Sequence, residues 1–205
     1  NYATYESSYD PREDASWTVP EIRNQNPLGT CWSFSAIAAV EFSLVTKGQR
    51  SGDDMSEFQL GYFATHGWED ELGLLTGDAV SKISNGQINP DWYSGGNSVF
   101  TKFSLMNWAG AVSEKEYPET AYDVLKSSTT AASLDNSYAM SKDVAHVQNV
   151  YVINTDDKDV VKEMIKKYGA VGCSYYSSDT YYKNNTFYNP VDTGSNHAIA
   201  IVGWD

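Results

Sequence analysis

Cys31 follows a Gly-Thr pair in NQNPLGTCWSFSAIAAVE (24–41) and opens a run with helical periodicity. A thiol attacks a carbonyl carbon only as thiolate, and an ordinary cysteine pKa of about 8.5 leaves little thiolate at neutral pH. A helix start helps, because its unpaired N–H groups and its dipole both favour negative charge. A neighbouring imidazolium would supply most of the remaining shift. The same position also suits a small apolar residue, so Cys31 reads either as a packed side chain or as a nucleophile.

The chain has three histidines that could serve as the base. His66, in THGWEDE beside Glu69, Asp70 and Glu71, reads as a solvated loop residue. His146 reads as a structural residue at the start of a strand. His197, in GSNHAIAIVGWD, stands where a polar loop enters an apolar strand, which places an imidazole at a rigid edge open to a cleft. Acyl transfer also needs donors for the oxyanion that forms on the attacked carbonyl. The backbone N–H of Cys31 can be one, and the amide of Gln25, beyond a Pro-Leu-Gly turn, can fold back as a second. Taken alone, Gln25 reads as a surface loop residue. The second cysteine, Cys173 in GAVGCSYY, reads as a small hydrophobe in a buried strand.

These residues need elements to hold them. The periodicity predicts a helix from Cys31 to about Lys47, with Phe34, Ile37, Ala38, Glu41, Leu44 and Val45 on one face, Thr30 as N-cap and Gly48 as the stop. A second helix is expected from about Ser98 to Trp108, with Val99, Phe103 and Met106 at helical spacing, and a third from about Asp157 to Tyr168, with Val160, Val161, Met164, Ile165 and Tyr168 inward. Strands are expected at 146–153, 170–176 and 197–203, each rich in Val, Ile or Tyr. Helices first and strands later predict an α+β fold. The polar stretch SSTTAASLDNS (127–137) would divide a helical lobe, about 10–126, from a β-rich lobe, about 138–205.

Composition sets the outer bounds. The 205 residues are 41% hydrophobic and 14% aromatic, with 15 Tyr and 6 Trp, as in a globular protein able to bury a core. A net charge of −13 with only 14 Lys and Arg argues against nucleic acid as a partner. No apolar run approaches the roughly 20 residues of a membrane span. The histidines and carboxylates lack zinc or EF-hand spacing, so no metal or cofactor is expected, and Asp53-Asp54 and Glu69-Asp70-Glu71 read as solvated faces.

The segment Gln25, Gly29, Cys31, Trp32, Ser33, Phe34, Ser35 resembles the active-site stretch of papain-like cysteine peptidases. That family's local signature is Cys-Gly-(Ser/Ala)-Cys-(Trp/Tyr), here Leu28-Gly29-Thr30-Cys31-Trp32. Met55-Ser56-Glu57 is similar to the family's Leu-Ser-Glu, Ser94-Gly95-Gly96 to its Asn-Gly-Gly turn, and Glu116-Tyr117-Pro118 to a later segment. Gly169-Ala170-Val171 resembles Gly-Pro-Val at a strand start, and Asn196-His197-Ala198 with Val202-Gly203 resembles the catalytic histidine strand. The matches keep the family's order across about residues 10–205.

The resemblance implies a two-lobe papain-like fold, a helical left lobe and a β-barrel-like right lobe, within a single peptidase domain over 1–205. It implies Cys31 as nucleophile, His197 as general base and acid, and Gln25 as oxyanion donor. Gly95 and Gly96 would pair with an extended peptide, and Ser174 would line the pocket for the second residue before the scissile bond. The expected activity is that of an endopeptidase on polypeptides, acting as a monomer. The alternatives are an inactive peptide-binding or structural relative and an exopeptidase.

Two departures shape the expectation. Leu28 and Tyr93 stand where the family joins two cysteines, and Phe63 occupies another half-cystine position, which suggests an apolar contact in place of a bridge. This pattern, with His-Ala-Ile-Ala-Ile-Val-Gly-Trp-Asp, is similar to disulfide-free surface peptidases of Gram-positive bacteria, implying a secreted or cell-surface protein. The family's histidine-orienting Asn would lie beyond Asp205, so the chain is expected to be part of a longer peptidase whose last strands, and an inhibitory pro-segment, lie elsewhere in the same gene.

Overall fold

The computed structural model describes residues 4–14, 16, 18–49, 54–66, 83–84, 87–88, 94–117, 142–191 and 194–205. Its central element is helix α1, Cys31–Thr46. It ends where expected: Gly48 takes φ +65, and Gly48 and Gln49 donate to the carbonyls of Val45 and Leu44, both at 2.9 Å.

Two further helices, α2 (Glu57–His66) and α3 (Ser98–Met106), pack on one side of α1. On the other side lie helix α4 (Lys158–Tyr168) and two strands, Val171–Tyr175 and His197–Ile201. Because α1 is enclosed from both directions, its buried residues, Trp32, Ser33, Ser35, Ile37, Glu41, Phe42 and Val45, wrap around the helix. The expected single face is therefore a correction: Phe34, Ala38 and Leu44 are only half-buried.

The second predicted helix forms with the opposite face inward. Asn97 caps α3 by accepting from the Val99 N–H at 2.8 Å, but Val99, Phe103 and Met106 are exposed, while Thr101, Ser104 and Leu105 are buried. Small and medium side chains let α3 approach α1 and α2 closely, which the apolar spacing alone does not reveal. His66 is the last residue of α2, not a loop residue.

The strands pair in antiparallel twos: β1 (Ile83–Ser84) with β2 (Gln87–Ile88), and β3 (Ala111–Val112) with β4 (Asp143–Ala145). The pair that matters for the site is β5 (Val171–Tyr175) with β8 (His197–Ile201), and between them lies a hairpin of β6 (Tyr182–Lys183) and β7 (Thr186–Phe187). The hairpin turns through Asn184 and Asn185, both at positive φ, as a two-residue primed turn requires. Among the described residues these pairs form no closed barrel. Residues 146–153, expected as a strand, pair with nothing as a ladder; the strand is Asp143–Ala145, and His146 follows it, its ring 4.6 Å from Trp108 and its Nε2 against the Asp143 carboxylate.

Two apolar clusters flank α1. Ile37, Met55, Leu60, Leu105 and Ala111 fill the space between the first three helices, and Val161, Ile165 and Val171 join α4 to the β5–β8 pair. The N-terminal segment straps onto the second cluster: Tyr9 and Trp204 exchange backbone hydrogen bonds at 2.7 and 3.0 Å. The polar stretch 127–137, the lobe boundary and Tyr93 lie outside the described residues; Leu28 is buried.

Candidate active site

Cys31 is the first residue of α1 and is half-buried. Thr30 occupies the N-cap position, yet its side chain makes no capping bond. Its carbonyl is used instead, accepting from Ser33 N–H at 2.9 Å, Phe34 N–H at 3.3 Å and Ser33 Oγ at 2.9 Å. The expected side-chain cap is thus corrected: Thr30 closes the first turn through its carbonyl.

Gln25 bonds within its own loop. Leu28 N–H donates to the Gln25 carbonyl at 2.7 Å, and Gln25 Nε2 donates to the Leu28 carbonyl at 2.8 Å. This reciprocal pair closes the turn three residues before Cys31 and uses one of the two amide hydrogens. Arg23, two residues earlier, anchors the same segment: its Nε and Nη2 both reach Asp54 Oδ1 at 2.8 Å, so Asp54 is an ion-pair partner and not only a solvated face.

Gly96 lies against that first turn. A Cβ on Gly96 would stand 2.5 Å from Nε1 and Cε2 of the Trp32 ring, so only glycine permits the approach. Gly95 has φ +146, a region that side chains rarely adopt.

The β5–β8 register assigns faces. Tyr175 pairs with His197, Cys173 with Ile199 and Val171 with Ile201, while Ser174 pairs with Ala198 and Gly172 with Ala200. Partners share a face, and alternate pairs point oppositely. The Gly172 face meets α1, since a Cβ there would lie 2.9 Å from Ser35 Oγ. Ser174 and Ala198 continue that face. Ser35 Oγ donates to the Ile199 carbonyl at 2.8 Å, joining helix and strand directly.

These contacts orient the elements. Gly169, just before β5, meets Phe42 and Thr46 at the far end of α1, whereas Gly172 meets Ser35 near its beginning. β5 therefore runs against α1, and β8, antiparallel to β5, runs with it. Cys31 and His197, the first residues of α1 and β8, consequently lie at the same end of the packed pair. Ser35 is four residues along the helix and Ile199 two along the strand, advances of about 6 Å and 6.6 Å.

Residues 5–62 match the family described as papain family cysteine protease. The structure is similar to the clostridial cysteine protease Cwp84 after propeptide cleavage, with a TM-score of 0.72 and 30% identity, covering 97% of this chain and 43% of that one. It is also similar to the cysteine protease and lectin-like domains of Cwp84, described as a surface layer associated protein of Clostridium difficile, with a TM-score of 0.74 and 30% identity, over 99% of this chain and 40% of that one.

The chain resembles the papain family of cysteine proteases.

Its likeness to curated papain-family proteins is lower: fruit bromelain of Ananas comosus is 28% identical over 91% of this chain and 43% of its own length. The chain thus spans less than half the length of fruit bromelain and of Cwp84. The fold is α+β and papain-like.

Electrostatics around the Gln25 segment come from acids that the motifs did not single out for charge. Burial raises the Glu41 carboxyl to about 7, against a Met55 N–H donated to it at 2.8 Å and the nearby Arg23. Burial likewise raises Glu57 to about 8, with Glu41, Glu114 and Asp54 adding to the shift. Burial also pushes the Cys173 thiol up, but the expected buried strand is a correction: Cys173 is half-buried, with Gly172 and Ser174 exposed on either side of it.

Gly172 and Tyr175 escaped the sequence reading, and Ser35 and Ala198 entered it only as motif positions, without the contacts they make. Ser35 stands one helical turn after Cys31 on the same face, a signal that spacing could have supplied. The other three depend on strand register, which has no local signature.

Proposed function

We propose that this chain is the catalytic part of a cysteine endopeptidase, a single domain with its two lobes meeting around α1. The observation that supports it most is the shared end: Cys31 at the start of α1 and His197 at the start of β8, with the two elements tied by Ser35 and Ile199. In this reading the Cys31 thiolate attacks the scissile carbonyl, paired with the His197 imidazolium. The carbonyl oxygen becomes an anion that accepts from the Cys31 N–H and the second Gln25 amide hydrogen. His197 then protonates the leaving amine, leaving an acyl-enzyme on Cys31, and activates the water that releases it.

Gly95 and Gly96 would pair with the backbone of an extended peptide, and Ser174 would contribute to the pocket for the second residue before the cut. A surface location and control by a pro-segment accord with the surface-layer association and the propeptide named for Cwp84. The reading extends to a polypeptide substrate, a monomer and secretion.

Iodoacetamide labelling tests it. Cys31 should alkylate much faster than Cys173 near neutral pH, and His197→Ala should abolish the difference. Equal rates for the two thiols, or no effect of His197→Ala, would overturn the proposal and leave a peptide-binding relative.

A further inference from the structure

A general base must be held in one orientation by its surroundings. The backbone of His197 is fixed on two sides. On one, the β5 ladder pairs it with Tyr175. On the other, Asn196 is clamped: its Nδ2 donates to the Ser177 carbonyl at 3.0 Å, its Oδ1 accepts from the Ser177 N–H at 2.6 Å, and its own N–H donates to the Tyr175 carbonyl at 3.1 Å. With the Cα held, the remaining freedom is rotation of the imidazole about its side-chain bonds.

The Tyr175 ring meets that imidazole edge-on, with centroids 5.6 Å apart and planes at 63°. Tyr175 cannot turn away freely, because Phe187 of the β6–β7 hairpin packs against it at 5.0 Å and 79°. Phe187 is in turn met by Tyr181 at 6.3 Å and 88°. The rings form a column from the hairpin to the imidazole, and edge-to-face contact of this kind resists rotation of either partner. Among the described residues, no hydrogen bond reaches the His197 ring.

We infer that Tyr175 is a positioning residue for His197, limiting rotation of the imidazole, with Phe187 as its backing. The inference rests on the reading of Cys31 and His197 as a pair. A strand residue with an aliphatic side chain would satisfy the ladder and the core but would leave the ring free to rotate. Loosening the imidazole lowers the fraction of thiolate–imidazolium pairs, so the pH at which Cys31 becomes reactive rises toward that of an ordinary thiol.

The test is the pH dependence of Cys31 alkylation by iodoacetamide in the full-length protein. Tyr175→Leu should move the acid limb upward and lower the rate at mildly acidic pH about tenfold, a shift of about one pH unit. Tyr175→Phe, which keeps the ring, should restore the original limb. Phe187→Leu leaves β5 intact and should move the limb the same way by less, which carries the test if Tyr175→Leu does not fold. An unmoved limb in folded Tyr175→Leu, or in Phe187→Leu where that variant carries the test, overturns the inference. His197→Ala separates the two levels: if it leaves the limb of the parent protein unchanged, the pairing itself fails, whereas if it removes the limb while the Tyr175 and Phe187 variants do nothing, only the positioning role fails.

Discussion

Ser35 Oγ donates to the carbonyl of Ile199 at 2.8 Å, and the same hydroxyl lies where a Cβ on Gly172 would come within 2.9 Å. One side chain thus sets the spacing between α1 and both strands of the β5–β8 pair. Ser35→Ala leaves the Ile199 carbonyl without this donor and should cost about 1–3 kcal/mol. Gly172→Ala should destabilise by a similar amount through overpacking. In the Ser35→Ala background the new methyl finds room, so the two changes should be sub-additive by about 1 kcal/mol. Urea unfolding of the four proteins in the cycle measures the coupling; strict additivity would mean that the two residues do not share the contact.

Gly96→Ala should be worse than a loop substitution normally is. The added carbon would sit 2.5 Å from a Trp32 ring that is only 2% exposed and packed edge-on against Phe100 at 5.5 Å. Ring and loop must separate, at about 1–3 kcal/mol. Under the peptidase reading KM for a peptide substrate should rise as well, because the displaced segment is the one that pairs with substrate. Denaturation and steady-state kinetics read the two effects independently.

Gln25→Ala removes one structural bond, to the Leu28 carbonyl, and one proposed oxyanion donor. The structural part should be modest, about 1 kcal/mol, since the Leu28 N–H still closes the turn. The catalytic part should be larger, about 10²–10³ in kcat, as for loss of an oxyanion donor elsewhere. Iodoacetamide labelling of Cys31, which forms no oxyanion, should change little. A small loss of kcat would remove Gln25 from the proposed machinery.

Stability should fall as pH rises from about 4.5 to about 8. Glu41 and Glu57 hold their protons up to about 7 and about 8 in the folded chain, against an ordinary value of 4.5. Across that window the folded state binds protons that the unfolded state has released, so folding is favoured at the acid end and its advantage is lost as pH passes the folded values. Urea midpoints should therefore be higher near about pH 5 than near about pH 8.5. Glu57→Gln, neutral throughout, should flatten the dependence and raise the midpoint at the alkaline end.

Much of the scaffold was legible in local pattern. The bounds of α1 and α4 follow from 3.6-residue periodicity with a glycine after each, Gly48 and Gly169, both at positive φ. The runs read as strands at 170–176 and 197–203 form strands, Val171–Tyr175 and His197–Ile201. The stretch 146–153 has equally strand-like composition but lacks a ladder, because β propensity becomes a strand only where a neighbour supplies hydrogen bonds. Val99, Phe103 and Met106 misled for a related reason: apolar spacing marks a face without saying which face has a partner.

By itself the sequence determined the candidate residues and the elements they open: a cysteine at a helix start, a histidine at a strand start, and a glutamine in the turn before the helix. Those are properties of short segments, written in residue type and spacing. Only the tertiary structure decided that α1 and β8 run the same way, that Ser35 ties them, and that Tyr175 lies beside His197. Strand register and packing direction arise from contacts between residues more than a hundred positions apart, such as Ser35 and Ile199, and no local periodicity encodes them.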